Sequence, residues 1–575
     1  MTERKELSGE HNGLLLLEKR LFVSDAYLII PIQNDGPEGQ LSLRVNDEVV
    51  FQYNTNLAST IDTVDWYAFF SLECFRGMQA EITGLNVTEE GFDLIRQSNS
   101  IPSKNDLFVE KYRPQFHFTS RTGWLNDPNG LIYYQGEYHL FYQHNPTGLS
   151  WGNMTWGHAI SHDLIRWREL PKVLFPNPET GTCFSGATFI DSKNQLRKKT
   201  GDEDVLVAFY LRTEIGLCLA YSNDRGRTFT DYELNPVLNH EGARIDTPRP
   251  FWHEPTKRWV APTYDFFINS SGEKRRCVGF YSSSNLTEWR FESRVEQDGW
   301  GDELCGCVDF FELPVDQNPH NKKWVMILID GSYIVGDFDG TTFYTLYGKS
   351  ATTDDRISSL VIQGDYYGTM TWHNMPRDRR VQIAWMRNYE TYPGMAFNQQ
   401  MTIPSELTLH STNCGPRLRM NPIRELEGLR KETHQWTDFN LSENDDLLRN
   451  IQANLLDLEI EFEPLKASTI LFLIRGAQVS YDAQEQTLSA CGVSAKLFPI
   501  EGSINLRILL DRTSIEIYGN DGRVYIPKVI FPEAKDTAIK LKSTKGEIKI
   551  TYLRIHHLGS AWEDSPTTND RQYSL

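Results

Sequence analysis

Trp124-Leu125-Asn126-Asp127-Pro128-Asn129-Gly130 is the stretch on which the fold and the function both turn. Asn, Asp, Pro and Gly are turn formers, so the string predicts a tight turn. The aromatic and aliphatic run that follows, 131–143, reads as a strand. A turn at the end of that strand would present the Asp127 carboxylate to a central funnel. Working outward, similar β-branched and aromatic runs bounded by Gly, Asn, Asp or Pro occupy 26–32, 40–50, 205–212, 323–329 and 380–386. Four more alternate near the C-terminus, at 504–510, 513–518, 524–530 and 547–555. Helical periodicity is nearly absent, and its best candidate is the short segment 423–430. The expectation is an all-β protein.

A repeated turn organises the middle of the chain. Ser161-His162-Asp163-Leu164-Ile165-Arg166-Trp167 recurs as Ser283-Ser284-Asn285-Leu286-Thr287-Glu288-Trp289. Looser copies begin at Tyr221 and Gly336, so successive copies lie about 50 to 60 residues apart. About five such units fit between 115 and 420, which is the period of propeller blades. A sandwich with similar hairpins would carry the same turns. The flanks are also β-rich. The polar stretch 96–106 reads as a linker, 428–440 as a connector, and the chain after 560 as loose. Asn520-Asp521-Gly522 marks a hairpin in the last region.

Bulk properties exclude some functions. The chain has 575 residues, enough for two or three domains. Its net charge is −19, and no basic cluster of the kind that binds nucleic acid occurs. No run of 18 or more apolar residues is present to span a bilayer. The charged start, Met1 to Glu6, and the short apolar run Leu14 to Leu17 do not form a signal peptide, so a cytoplasmic location is expected for the chain as given. The eight cysteines match no disulfide framework. Cys305-Gly306-Cys307 lacks a second Cys/His pair, so no metal is expected. Aromatics make up 12% of the chain and suit both β-sheet cores and sugar-stacking surfaces.

The company Asp127 keeps gives the string its meaning. Leu140 to Pro146, Trp151 to His158, and Phe184-Ser185-Gly186 follow in order, then Ile383-Ala384-Trp385-Met386, Gln400 to Leu407 and Asp511 to Gly522. With Asp127 these blocks resemble glycoside hydrolase family 32, whose opening block differs from this one only at Leu125. The resemblance runs from about Tyr112 to Leu558. It implies a five-bladed β-propeller over 109–425 and a C-terminal β-sandwich over 426–575. An extra N-terminal β-rich domain, 1–108, stands outside that pair. The family cleaves or transfers β-linked fructofuranosyl units with retention, which needs two carboxyl groups and no cofactor. Block matching makes Asp127 the nucleophile. Asn126, Gln143, Trp151, Phe184, Ser185 and Trp385 fall on substrate-contact positions. The implied partner is a small carbohydrate such as sucrose, a fructo-oligosaccharide or a fructan, with room for a homo-oligomer and no membrane or nucleic-acid role.

Two blocks depart from the family pattern. The family's transition-state stabiliser lies in Arg-Asp-Pro-Lys, where this chain reads Arg244-Ile245-Asp246-Thr247-Pro248-Arg249. Anchoring on Pro248 puts Thr247 in the acid's place, with Asp246 the local carboxylate. The acid/base block, usually Glu-Cys-Pro-Asp, reads Glu303-Leu304-Cys305-Gly306-Cys307-Val308-Asp309. Anchoring on Asp309 puts Gly306 in the acid's place, with Glu303 three residues, or about 10 Å of strand, earlier. The expected assignment is Glu303 as acid/base and Asp246 as stabiliser. A subsite remodelled for another furanoside or for fructosyl transfer, and a non-catalytic sugar-binding propeller, are the alternatives.

Overall fold

The computed structural model describes residues 10–11, 14–102, 107–238, 247–296, 307–346, 360–443, 445, 447–464, 469–533 and 535–562. The fold is all-β. The longest helical segment among the described residues is the 3-10 helix Arg424–Leu429, inside the expected 423–430. No helix of the described residues is long and apolar enough to cross a membrane.

Between residues 123 and 422, five sheets follow one another, each built on four antiparallel strands, the first with a fifth strand added. The first comprises Gly123–Tyr134, Glu137–Asn145, Thr155–Ser161 and Trp167–Leu174. The second runs from Cys183–Asp191 to Thr230–Asp231, the third from Phe251–His253 to Arg290–Val295, and the fourth from Asp309–Pro314 to Phe343–Thr345. The fifth comprises Tyr367–Thr371, Val381–Trp385, Ser405–His410 and Arg417–Pro422. Before the fifth is complete, Phe397–Asn398 pairs in parallel with Gly123 and Trp124. That pairing stitches the last unit to the first.

The repeated turn joins the third and fourth strands of a sheet, and its residues explain its shape. Asp163 Oδ1 accepts from the Ile165 and Arg166 amides at 3.0 and 2.7 Å, and the Trp167 indole donates to the Leu164 carbonyl at 3.1 Å. Asn285 and Trp289 repeat these bonds in the third sheet. Leu164 and Leu286 adopt φ of 65° and 69°, a left-handed conformation that the side-chain cap sustains.

The opening strands of the sheets converge. Thr188 of the second sheet donates to the Gly130 carbonyl of the first at 2.6 Å. Arg249, just before the third, donates to Asp309 of the fourth at 2.9 Å and to the Thr371 carbonyl of the fifth at 2.8 Å. Arg249 and Asp309 are each 1% exposed, so this ion pair is out of water. Burial works to raise the Asp309 pKa, but the charges of Arg249, His373 and Arg380 and the Thr371 hydrogen bond outweigh it and hold the carboxyl below its usual range.

Several expectations need correction. The runs 40–50 and 131–143 are each two strands, split by left-handed turns at Asn46-Asp47 and Gln135-Gly136. Two residues with positive φ make the turn whose twist matches a hairpin, so apolar content carried on through the bend. The polar 96–106 includes the strand Arg96–Ser98, paired with Tyr27–Ile32. The polar 428–440 is mostly the twelve-residue strand Arg430–Leu441. It borders a seven-stranded sheet, so its outward residues stay wet and read as a connector. Past 560, Ala561 is buried, and the Trp562 indole stacks on Phe108 and donates to the Pro114 carbonyl.

The flanking regions each pair two sheets. Residues 10–98 form a five-stranded and a three-stranded sheet around Leu28, Ile30, Leu41, Phe51, Phe70 and Ile82. From 430 on, the seven-stranded sheet and the five-stranded sheet ending at Ile539–Lys545 share one apolar core, with Leu458, Ile460, Phe472, Leu506 and Ile555 inside.

Candidate active site

Asp127 does not sit in a turn at a strand end, as the string predicts; it lies inside the strand Gly123–Tyr134. Two irregularities explain how turn residues fit there. Leu125 pairs with His144 and Pro128 with Tyr142, so Asn126 and Asp127 together oppose the single residue Gln143. That is a β-bulge, which turns a side chain out of the regular alternation. A second bulge sets Gly130 and Leu131 against Leu140. There Gly130 takes φ +48, and a Cβ would come within 2.8 Å of the Phe141 ring and 2.9 Å of Thr188. Only glycine fits.

The walls around the Asp127 carboxylate come from distant segments. Gly368, at φ +65, presses its Cα so closely that a Cβ would lie 2.5 Å from Asp127 Oδ1. Cys307 Sγ donates toward Asp127 Oδ2 at 3.8 Å. Sequence reasoning weighed Cys307 only as a metal ligand and passed over Gly368, which no local pattern distinguishes.

The predicted contact residues fall into linked groups on the same strands. Asn126 accepts from the Trp124 indole at 3.1 Å. The Trp124 ring meets Trp385 edge to face at 5.7 Å, and Trp385 in turn donates to Gln399 at 3.0 Å. Arg387 lies 4.4 Å over Tyr367 and 5.9 Å from the Trp385 ring. Gln143, directly opposite the bulge, is buried. The hydrogen-bond pattern orients the Asn129 amide to accept from Gln143 Nε2 at 3.0 Å and donate to Ser185 Oγ at 3.2 Å. Gln143 Oε1 is buried with no protein partner among the described residues, an acceptor left for something else. Phe184 meets Trp151 edge to face at 6.0 Å, and Trp151 is 59% exposed. Asp127, Asn126, Gln143 and Ser185 are thus one cluster, Trp385 is tied to it through Trp124, and Trp151 with Phe184 forms an aromatic pair beside Ser185.

The loop that carries Trp151 is held from outside. Asn153 donates to the Asn54 carbonyl at 2.7 Å and to Asn145 Oδ1 at 3.0 Å, and accepts from the Asn54 amide at 2.9 Å. Asn54 belongs to the N-terminal strand Glu48–Thr55.

Asp246 and Glu303 lie outside the described residues, as does Gly306. Their neighbours are described. Thr247 is buried with φ +46, a strained conformation for a β-branched residue. Thr247 and Cys307 begin the segments that the Arg249–Asp309 ion pair ties together.

The comparisons agree with the geometry. The family model described as glycosyl hydrolases family 32 N-terminal domain matches residues 117–422, and the one described as glycosyl hydrolases family 32 C terminal matches residues 425–557. The levanase of Bacillus subtilis (strain 168) is 36% identical over 506 residues, covering 80% of this chain and 72% of that protein. The extracellular exo-inulinase of Aspergillus awamori is 28% identical over 531 residues, covering 79% of this chain and 96% of that protein. A crystal structure of the exo-inulinase from the same organism superposes with a TM-score of 0.68 at 26% identity, over 79% of this chain and 100% of that one.

Proposed function

The chain belongs to glycoside hydrolase family 32 and is a hydrolase of β-fructosides such as sucrose and fructans; we propose that it works by retaining double displacement, with Asp127 as nucleophile. The observation that carries this reading is the bulge that aims the Asp127 carboxylate, backed by Gly368 and facing Gln143. Asp127 attacks the anomeric carbon and forms a fructosyl ester. Glu303 protonates the leaving oxygen and then draws a proton from water, and Asp246 steadies ring hydroxyls as charge develops. Gln143, Ser185 and Asn126 hold the fructosyl hydroxyls. Trp151, Phe184 and Trp385 offer faces and edges to apolar sugar surfaces.

Glu303 is compatible with this role by reach. It precedes Cys307, whose Sγ is 3.8 Å from Asp127 Oδ2, by four residues. Four residues span at most about 14 Å when extended, and a retaining pair requires a carboxyl separation of roughly 5 to 5.5 Å, which lies within that reach. The five sheets from 123 to 422 are a five-bladed propeller in this reading, closed by the Phe397–Asn398 pairing. The two sheets after 430 are a sandwich, and the region before 109 is an added β-domain.

Sugar release from sucrose, inulin and levan tests the activity. Asp127→Asn is expected to lower kcat by on the order of 10³-fold or more. Azide added to Asp127→Ala should restore turnover by forming a fructosyl azide of inverted configuration. An Asp127→Asn variant with native rates refutes the assignment. Glu303→Gln should be most impaired on natural sugars and least on fructosyl fluoride, whose leaving group needs no proton. Equal rates for Glu303→Gln and the native chain on sucrose refute that role.

A further inference from the structure

We propose a divalent transition-metal site in the C-terminal region, formed by Glu432, His434 and His557, with two imidazoles and one carboxylate as ligands. One donor atom from each residue lies within 4.8 Å of those of the other two. Glu432 and His434 are two residues apart on the strand Arg430–Leu441, and Glu432 shares with Lys431 a bulge that lies opposite His557. The neighbouring strand Ile548–Leu558 runs antiparallel, with His434 opposite Ile555. His557 is two residues beyond Ile555 and shares that face. The register sets Glu432 opposite His557 with His434 two residues on, and the side chains as they stand bring the three donors together.

The chemistry of the set narrows the ion. Two imidazoles and a carboxylate suit zinc, copper, nickel or cobalt, and suit magnesium or calcium poorly, since those prefer oxygen. Ligand bonds of about 2.0–2.2 Å place tetrahedral donors roughly 3.3 Å apart. His434 Nε2 already stands 3.6 Å from Glu432 Oε1, and the two imidazole centroids are 5.4 Å apart. Closure has to bring donor separations that are at most 4.8 Å down to about 3.3 Å. Glu432 is exposed, His434 is 30% exposed and His557 is partly buried, so an ion has a route in and water can fill the fourth position.

The ion would pin an edge strand. Arg430–Leu441 ends the seven-stranded sheet and has a hydrogen-bonded neighbour on one side only. Three ligands shared with Ile548–Leu558 would cross-link the first and last strands of the C-terminal region, remote in sequence from Asp127. Trp436 supplies a reporter, because its ring stacks on His434 at 6.2 Å.

The test uses the full chain without an affinity tag. Calorimetric titration with Zn²⁺ should show one saturable site with a Kd in the micromolar range, on the order of 1–100 μM. His434→Gln and His557→Gln should each weaken it at least tenfold, and Glu432→Gln less. Cu²⁺ should quench a tryptophan component that Trp436→Phe lacks. Sucrose hydrolysis should be unchanged in all four variants. The native chain needs no variant to decide the first point: no saturable Zn²⁺ binding up to about 1 mM overturns the proposal. Native affinity in both histidine variants overturns it equally.

Discussion

Replacing His117 should unfasten the C-terminal region from the sheets that hold Asp127, and should do so in a pH-dependent way. His117 Nδ1 lies 2.8 Å from Asp511 Oδ2 and Nε2 lies 3.0 Å from Glu516 Oε1, with all three side chains fully buried. Asp511 also accepts from the Gln115, Phe116 and His117 amides, and Glu516 from the Ile403 amide and the Tyr518 hydroxyl. Burial pulls the His117 pKa down, but the hydrogen bonds and charges of Asp511 and Glu516 win and raise it to about 9. The Asp511 pKa is held below its usual value despite burial, mainly by His117. The imidazolium is therefore the cation between two buried carboxylates. His117→Gln keeps the volume and loses the charge, which should cost about 3–5 kcal/mol at pH 6. The sign follows from linkage. A histidine raised from 6.5 to about 9 contributes fully below pH 6.5 and loses its contribution as pH rises through 9, at about 1.4 kcal/mol per unit. The Asp511 contribution is present above its unfolded pKa and fades in acid. Denaturant midpoints of the native chain and of His117→Gln, read from pH 5 to 10, should converge by roughly 3 kcal/mol between pH 6.5 and 9. A gap that stays constant across that window would refute the charged clamp.

Other perturbations probe the site and its supports. Gly368→Ala should lower kcat on sucrose at least tenfold, because its Cβ would press on Asp127 and its φ of +65 disfavours a side chain; unchanged kinetics would contradict the contact. Asn153→Ala should raise KM for sucrose about fivefold with a smaller effect on kcat, since about one kcal/mol of hydrogen bonding to Asn54 and Asn145 holds the Trp151 loop. Equal KM values would mean the loop needs no brace. Arg249→Met leaves Asp309 buried without its partner and should destabilise the chain by about 3–5 kcal/mol in denaturant melts; a shift under 1 kcal/mol would show that the pair contributes little.

What could be read without coordinates was what repeats or what lies contiguous in the chain. The Ser-x-Asp-Leu or Ser-x-Asn-Leu turn and its aromatic are local, self-capping structures, so two copies announced the third-to-fourth strand connections directly. Strand content was legible wherever β-branched residues met a Gly or Pro boundary. It failed at Asn46-Asp47 and Gln135-Gly136, where tight hairpins turn within apolar runs, and at Arg430–Leu441, where an edge strand exposes most of its side chains. The Asp511 block carried its own apolar alternation, but its role as the partner of His117 depends on residues nearly 400 positions away. Nothing in either segment encodes that pairing locally.

The same distinction separates Asp127 from the residues around it. Asn126, Asp127 and Gln143 are set by one hairpin, whose two bulges are written in the Asn-Asp-Pro-Asn-Gly string itself: Gly130 is required by the close approach of Phe141 and Thr188, and the Asn126-Asp127 bulge follows from the pairing of Leu125 and Pro128 on either side. Gly368 and Cys307 meet Asp127 from the fifth sheet and from just before the fourth, so their identity depends on how the sheets converge, and a single glycine or cysteine carries no pattern. Glu303 and Asp246, the proposed acid/base and stabiliser, precede the fourth and third sheets in the sequence. The Arg249–Asp309 pair ties together the described residues that follow them. Displacement of an acid by one or three residues along such a segment is tolerable only where loop closure can absorb it. Glu303 and Asp246 therefore have to be assigned by their effect on rate and leaving-group dependence, whereas the proposal for Asp127 also has the geometry of its strand behind it.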